Sequence, residues 1–519
     1  MASESGRDAA RIRWLVAARF SEHPRGEFFA VAPDTLDGAL AARLGRLAVR
    51  VPDRLGEGDL RTVAFEVARL RTFTLGGMAE AVPELRALKA LADRPPSPGE
   101  AARVVEAAVG PGKLARACAA AAGDPAVPAP ATSGAAASVD AFVKGLGLGA
   151  GGSPGAARRV RDAIEAALYG TARDVLAQEP VRRLEGTWRG LRFLLAHGSP
   201  ASGLHVECLD AAPEEVAGSV RARRGEDGFD EPDAIFVAEP VRALEVLGEL
   251  ADLGEEVLAP CLAALAPELL GSAGAGELAE RAEREEGWPE PFLALRARPS
   301  SRWLCLALND VAMLAEGASA SRRSAFGSAV WGLAALLSSS YAASGAFARA
   351  VGKAGALSAP AAVNLSEGPK KGALVPTEAF LAIPAQKALA AAGLLALGSV
   401  QDSDRLVLSA APMLSSEAGA APLPAQILTG RIVRFARWAK RQIDPTRPAD
   451  EVGALFREAA ALFLFPGLEG AAALGARVEG APADRVLHVA ARVKATHALV
   501  PLDIEFTLPL EEGPSQLGR

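Results

Sequence analysis

Residues 181–198 read VRRLEGTWRGLRFLLAHG. Leu184, Trp188, Leu191 and Leu195 fall at i, i+4, i+7 and i+11, which places them on one face of an α-helix. Glu185 precedes Arg189 by four residues, the favourable order for an ion pair along a helix. Gly186 and Gly190 are also four apart. Each glycine weakens a helix by roughly 1 kcal/mol relative to alanine, so the pair predicts that another segment passes close to the helix. The stretch offers packing chemistry and no catalytic group.

Outward from it, residues 156–178 carry Val160, Ile164, Leu168, Val175 and Leu176 at helical spacing and lead directly into it. Upstream, 123–155 is rich in Pro, Ala and Gly, with a short helical patch at 139–146, and reads as a flexible linker. Its GLGLGAGG has no preceding strand, no following Lys-Ser/Thr and no acid placed for a ribose, so it does not read as a phosphate loop. Ahead of the linker, 11–20 (RIRWLVAARF), 47–51 and 60–70 read as strands. Thr74 is placed to cap a helix bearing Met78, Val82, Leu85 and Leu88. Pro83 either kinks that helix or begins a second. Residues 100–121 read as one alanine-rich helix.

Downstream, 204–209 is a strand and 221–232 a solvated charge run. Ile235, Phe236 and Val237 form a buried strand leading into a long helix with Val241, Leu244, Leu247 and Leu250. Residues 325–350 read as a buried helix, 427–441 as a basic amphipathic helix, and 485–494 and 499–510 as two alternating strands. The fold class expected is α+β, with mixed sheets flanked by helices.

The 519 residues suggest roughly three domains, and a composition half hydrophobic and 23% charged supplies their cores. A net charge of −6 gives no reason to expect nucleic acid as a partner. No signal-peptide core and no uncharged run of about 18 apolar residues appears, so a soluble cytoplasmic protein without membrane insertion is expected. Cys118, Cys208, Cys261 and Cys305 form no CxxC pair and read as buried free thiols. The five histidines show no metal-ligand spacing. No nucleophile-base pair, no Gly-x-Ser-x-Gly elbow and no apolar carboxylate pair is found. The expectation is therefore a non-enzyme with no catalytic, cofactor or metal site.

The central stretch resembles the "LEa-W-RGL-x-x-L" segment of TssC (VipB), the large sheath subunit of type VI secretion systems. Leu184, Glu185, Trp188, Arg189, Gly190, Leu191 and Leu194 stand where that pattern wants them. A second block, "PTE…I…L…G…L", is matched by Pro376, Thr377, Glu378, Ile383, Leu389, Gly393 and Leu397. Between the blocks Asn309-Asp310 stand where the family has Pro-Arg, and its Pro-Tyr-Gly is missing. Residues 11–94 resemble TssB (VipA), the small subunit, through Phe65, Phe73, Thr74, Val82, Pro83, Leu85, Leu88 and Arg94.

The resemblance implies a natural fusion with four parts: a TssB-like region at 1–94, a helix and linker at 95–155, a TssC-like core at 156–345 and a TssC-like C-terminal part at 346–519. The two halves would fold together. It implies a structural subunit of a contractile sheath, polymerising helically around an Hcp-like inner tube, with baseplate components as neighbours and a ClpV-type unfoldase as a possible recycler. The alternative is a sheath-derived adaptor, cap or baseplate-associated protein that does not contract. Strand exchange laces protomers in that family, which points to Val486, Val489, Val493, Leu502, Ile504 and Phe506 in the terminal strands. Residues 11–19 read either as a core strand or as a lacing arm.

Overall fold

The computed structural model describes residues 11–123, 154–198, 202–224, 231–317, 322–366, 370–444, 447–465, 470–480 and 485–510. The helical patch at 139–146, the GLGLGAGG run and nearly all of the 123–155 linker lie outside them, as do residues 225–230 of the charge run. The chain is α+β and divides into two compact units. The first comprises 1–36, 186–315 and 324–519, the second 37–185 and 316–323.

The first unit is built on a seven-stranded sheet. Its strands are β1 (Ile12–Ala18), β2 (Glu27–Ala30), β5 (Leu204–Asp210), β6 (Ala234–Val241), β7 (Cys261–Leu265), β8 (Leu304–Leu308) and β14 (Leu394–Ala396), in the order β14-β8-β7-β6-β1-β5-β2. All neighbours are parallel except β2, which runs antiparallel to β5 at one edge. β1 is an interior strand: Ile12 to Ala18 pair with Leu204 to Asp210 on one side, and Trp14 to Ala17 pair with Ala234 to Val237 on the other. The core-strand alternative for 11–19 is the one realised.

Helices cover both faces, so the central strands are apolar on both sides rather than alternating in exposure. In β7 and β8 every residue is buried. Leu15, Ala17, Ile235, Val237, Cys261, Ala263 and Leu306 pack in one cluster with Leu247, Leu250 and Leu253 of the helix Leu244–Val257. Residues of the other parity meet the helix Ala329–Ser344: the Trp14 indole donates to Ser338 Oγ at 3.0 Å and its ring contacts Phe236 and Phe347.

The helix Leu423–Gln442 is tied to this sheet through a buried carboxylate. Asp233 accepts from Arg431 Nη1 at 2.8 Å, from Arg434 Nη2, and from the Arg13 backbone N–H at 2.9 Å. Arg431 also donates to the Arg11 carbonyl, and Arg434 to the carbonyls of Glu231 and Pro232. All three side chains are at most 5% exposed. One helix is thereby fastened to the starts of β1 and β6.

A separate three-stranded antiparallel sheet closes the first unit: β17 (Ala472–Glu479), β18 (Val486–Val493) and β19 (Leu502–Pro509), with β18 in the middle. Leu474, Leu487, Val489, Ala491 and Val493 lie on its buried face. The helices Ala449–Ala459 and Leu423–Gln442 pack against it. The last strand begins three residues later than expected, because 495–498 form a helical turn and Leu499 takes a left-handed φ of 71°.

The second unit holds a hairpin, β3 (Arg46–Pro52) with β4 (Leu60–Glu66), and the helices Leu75–Ala81, Pro83–Asp93, Ala101–Val109, Lys113–Ala122 and Pro154–Ala177. The last of these packs against β3 and three of the other helices. Thr74 caps its helix, its Oγ1 accepting from Gly77 N–H at 2.9 Å. Pro83 begins a second helix at the N1 position, where a missing N–H costs nothing. The alanine-rich helix expected over 100–121 is two helices, broken at Gly110-Pro111-Gly112, where Gly110 adopts φ +88°. The strand expected over 60–70 ends at Glu66, and Leu70–Phe73 form a 3₁₀ turn.

Asp233→Asn removes the counter-charge of two buried arginines. Breaking a buried pair of this kind costs about 3–5 kcal/mol. The expected outcome is that loss in urea unfolding, with a smaller loss for Asp233→Asn combined with Arg431→Met and Arg434→Met.

Candidate assembly site

The motif residues around Trp188 build a joint rather than a catalytic pocket. They lie on the helix Glu179–His197. Leu184, Trp188, Leu191 and Leu194 are fully buried. Trp188 Nε1 donates to the Phe20 carbonyl at 3.0 Å, and its ring meets Phe20 edge-on with centroids 5.4 Å apart. The Phe20 backbone N–H is in turn held by Asp210 Oδ1 at 2.8 Å. The central tryptophan thus pins the segment following β1 beside the end of β5.

The two glycines serve close packing. A Cβ at Gly186 would lie 2.7 Å from the Phe326 carbonyl oxygen. One at Gly190 would lie 2.3 Å from the Trp331 ring. Backbone passes close at the first position and an indole at the second. Arg189 is half-buried and engaged.

Glu185 is fully buried in the second unit, where its carboxylate pairs with Arg323. Arg323 also donates to Glu316 Oε1 at 2.9 Å and to the Phe73 carbonyl at 3.3 Å. Glu316 accepts from the Leu75 backbone N–H. Helical periodicity pointed only to Arg189 as a partner for Glu185. Arg323 lies 138 residues away, and no local spacing could have revealed it.

The second motif block is a strap. The Pro376 carbonyl accepts from Ala312 N–H, and the Glu378 N–H donates to the Asp310 carbonyl, both at 2.8 Å. Thr377 Oγ1 is bonded to the Ala379 carbonyl and to Ser399 Oγ. Burial, with the charge of Glu268, raises the pKa of Glu378 above the usual carboxylate range. Gly393 follows the helix Ile383–Ala391 in a left-handed conformation, φ +77°, and a Cβ there would lie 2.8 Å from the Leu414 carbonyl oxygen.

Asn309, which the family pattern marks only as a departure, is a structural fastening point. It is buried with φ +78°. Its side chain accepts from Ala379 N–H and donates to the carbonyls of Ala379 and Leu397. A proline, locked near φ −65°, does not fit this backbone. The Asn-Asp replacement is therefore matched to the strap it holds.

Of the terminal-strand residues, Val486, Val489 and Val493 lie on β18, which is paired on both sides within the chain. Leu502, Ile504 and Phe506 lie on β19, whose outer edge has no strand partner among the described residues. The outer edge of β17 has no strand partner among the described residues either, but the helix Ala449–Ala459 lies against it, close enough that a Cβ at Gly453 would sit 2.7 Å from the Ala476 carbonyl oxygen. A strand joining this sheet from outside would meet β19.

The thiols of Cys118 and Cys261 are pushed by burial to about 11 and about 12, and that of Cys305 higher still, which suits packing and not nucleophilic chemistry. A cleft of about 400 Å³ beside Trp438, Phe463, Asp444 and Arg447 carries no nucleophile with a base. Among the described residues no group of three or more His, Cys, Asp or Glu is placed to hold a metal, and no helix is long and apolar enough to cross a membrane.

No protein family and no curated protein matches the sequence. Solved structures give partial likenesses at low identity. One is a chain of the anti-feeding prophage baseplate: 13% identity, 64% of this chain and 78% of that one, TM-score 0.33. Another is the anti-feeding prophage helical sheath in the contracted state: 14%, 56% and 71%, TM-score 0.32. A third is the contracted PVC sheath complex of an extracellular contractile injection system: 11%, 64% and 79%, TM-score 0.35.

Arg323→Leu strands Glu185 in the interior and is expected to cost about 3–5 kcal/mol, whereas Arg323→Leu with Glu185→Leu recovers most of it. Chemical denaturation of the three proteins checks this, and equal losses in single and double variants would count against a buried pair. Burial also holds the imidazole of His197, packed edge-on against Phe193, below its ordinary value. The unfolded chain takes up a proton near pH 6.5 while the folded chain resists it. Stability is then full above about pH 6.5 and declines as pH falls below it, and His197→Leu flattens that decline in thermal unfolding followed from pH 7.5 to 5.

Proposed function

We propose that this chain is a structural subunit of a contractile sheath of the type VI secretion kind, carrying small-subunit and large-subunit parts in one polypeptide. The observation that supports it most is the position of β1. This strand belongs to the TssB-like region, yet it is hydrogen-bonded on both sides to β5 and β6 of the TssC-like region. A tether between such parts raises their effective concentration to about the millimolar range, which suits subunits that must always pair. The domain reading is 1–94 and 156–519 as the two former partners, joined by 95–155.

In this role the chain polymerises helically in the cytoplasm around an Hcp-like inner tube, adjoins baseplate components and stores contraction energy in contacts between copies. The motif residues Leu184, Glu185, Trp188, Arg189, Gly190, Leu191, Pro376, Thr377, Glu378 and Gly393 act as packing residues of the subunit. No catalytic step is required of it. Heterologous contacts through different surfaces of each copy generate open helices where the rotation does not close into a ring, and β19, whose outer edge has no strand partner among the described residues, is available for them.

Electron microscopy of the purified full chain, alone and co-expressed with an Hcp-like tube protein, tests this reading. Hollow tubes of constant pitch are expected. Discrete monomers or rings under both conditions would overturn it in favour of a non-contracting adaptor or cap.

A further inference from the structure

The cleft beside Trp438 lies between the end of the helix Leu423–Gln442 and the helix Ala449–Ala459. Trp438, Ile443, Leu455, Ala459 and Phe463 line it, and all five are only half-buried. Trp438 and Phe463 meet edge-on, with ring centroids 5.5 Å apart. At about 400 Å³ the space is large enough to take an apolar side chain. The chain itself comes back to this place. Leu510, which follows β19, donates its backbone N–H to the Arg485 carbonyl at 2.8 Å, and Arg485 Nη1 donates to the Arg447 carbonyl at 2.8 Å. Arg447 also lines the cleft. One arginine side chain therefore separates the end of β19 from the cleft wall.

We propose that residues 511–519, EEGPSQLGR, occupy this cleft in the same chain, with Leu517 seated in it and Glu511 and Glu512 opposite Arg447 and Arg485. Length, charge and turn chemistry agree. Leu517 lies seven residues beyond Leu510, and that many residues span up to about 25 Å when extended. The two carboxylates follow Leu510 directly, beside both arginines. Arg447 is exposed and pairs with Glu451 at 3.7 Å, longer than a hydrogen bond, so a second carboxylate can approach it. Gly513-Pro514 is a turn signal, which lets the chain bend away from the line of the strand. Leu517 then covers ring and methyl surface that is otherwise half in water. While the segment is seated, the cleft is closed to apolar side chains of other proteins. The contact concerns a single copy and holds whether or not copies polymerise.

The test reads Trp438 in the full chain. Trp14, Trp188, Trp303 and Trp331 are buried and Trp288 is half-buried, so in a Trp288→Phe background acrylamide quenching of fluorescence reports mainly on Trp438. Leu517→Asp is expected to raise that quenching several-fold, and Glu511→Lys with Glu512→Lys to raise it in part. High salt should mimic the lysine variant, since it screens exposed charges. Equal quenching with Leu517 and with Asp in its place would overturn the inference. An effect that appears only as protein concentration rises would overturn it too, because the occupant would then come from a second copy. Ala459→Cys combined with Leu517→Cys gives a second reading, and the buried native cysteines keep its background low. A disulfide within one chain is expected in dilute protein; links only between chains would count against the proposal. Neither measurement depends on tubes, so its failure leaves the sheath reading standing.

Discussion

Each compact unit is fastened by a carboxylate buried against arginine. In the first, Asp233 gathers Arg431 and Arg434 at the starts of β1 and β6. In the second, Glu185 holds Arg323, which reaches Glu316 and the Phe73 carbonyl. Such groups add little net stability compared with well-packed apolar residues, but an unmatched charge in the interior is heavily penalised. Where the helix Leu423–Gln442 lies, both guanidiniums are hydrogen-bonded, to Asp233 and to the carbonyls of Arg11, Glu231 and Pro232. Burial lowers the pKa of Arg434, and the nearby Arg431 adds to that, while Asp233 opposes it.

Around these points the packing is ordinary and dense. Trp188, Trp14 and Trp331 are fully buried, and two of them hold hydrogen bonds through their indole nitrogens. Gly186 and Gly190 let the Glu179–His197 helix approach Phe326 and Trp331 more closely than any side chain would allow. The main sheet is sealed by helices on both faces, whereas among the described residues the hairpin β3–β4 and the strand β19 keep edges with no strand partner. The molecule therefore combines a closed interior with surfaces that remain able to pair.

Much of this was legible in the sequence wherever the signal was periodic. The apolar stripe of 181–198, the strand 235–237, the buried helix near 325–350 and the two closing strands follow from side-chain spacing alone. Breaks were harder: alanine fits either side of a helix boundary, so the interruption at Gly110-Pro111-Gly112 hid inside an alanine-rich run. The interior position of β1 was not fixed by its own residues, because an apolar strand of seven residues suits both an edge and a centre. Arg323, Asp233 and Asn309 were invisible as partners, since each acts across a large separation in sequence. Composition blurred the rest, with half the residues hydrophobic and few aromatics to mark the core.

The place of β1 has a consequence during synthesis. Its first neighbour, β5, begins 186 residues after β1 ends. At about 5–20 residues per second, the ribosome needs roughly 10–40 s to deliver that neighbour. For that interval a nascent apolar strand stands without a ladder, and its protection falls to whatever chaperone waits at the exit tunnel.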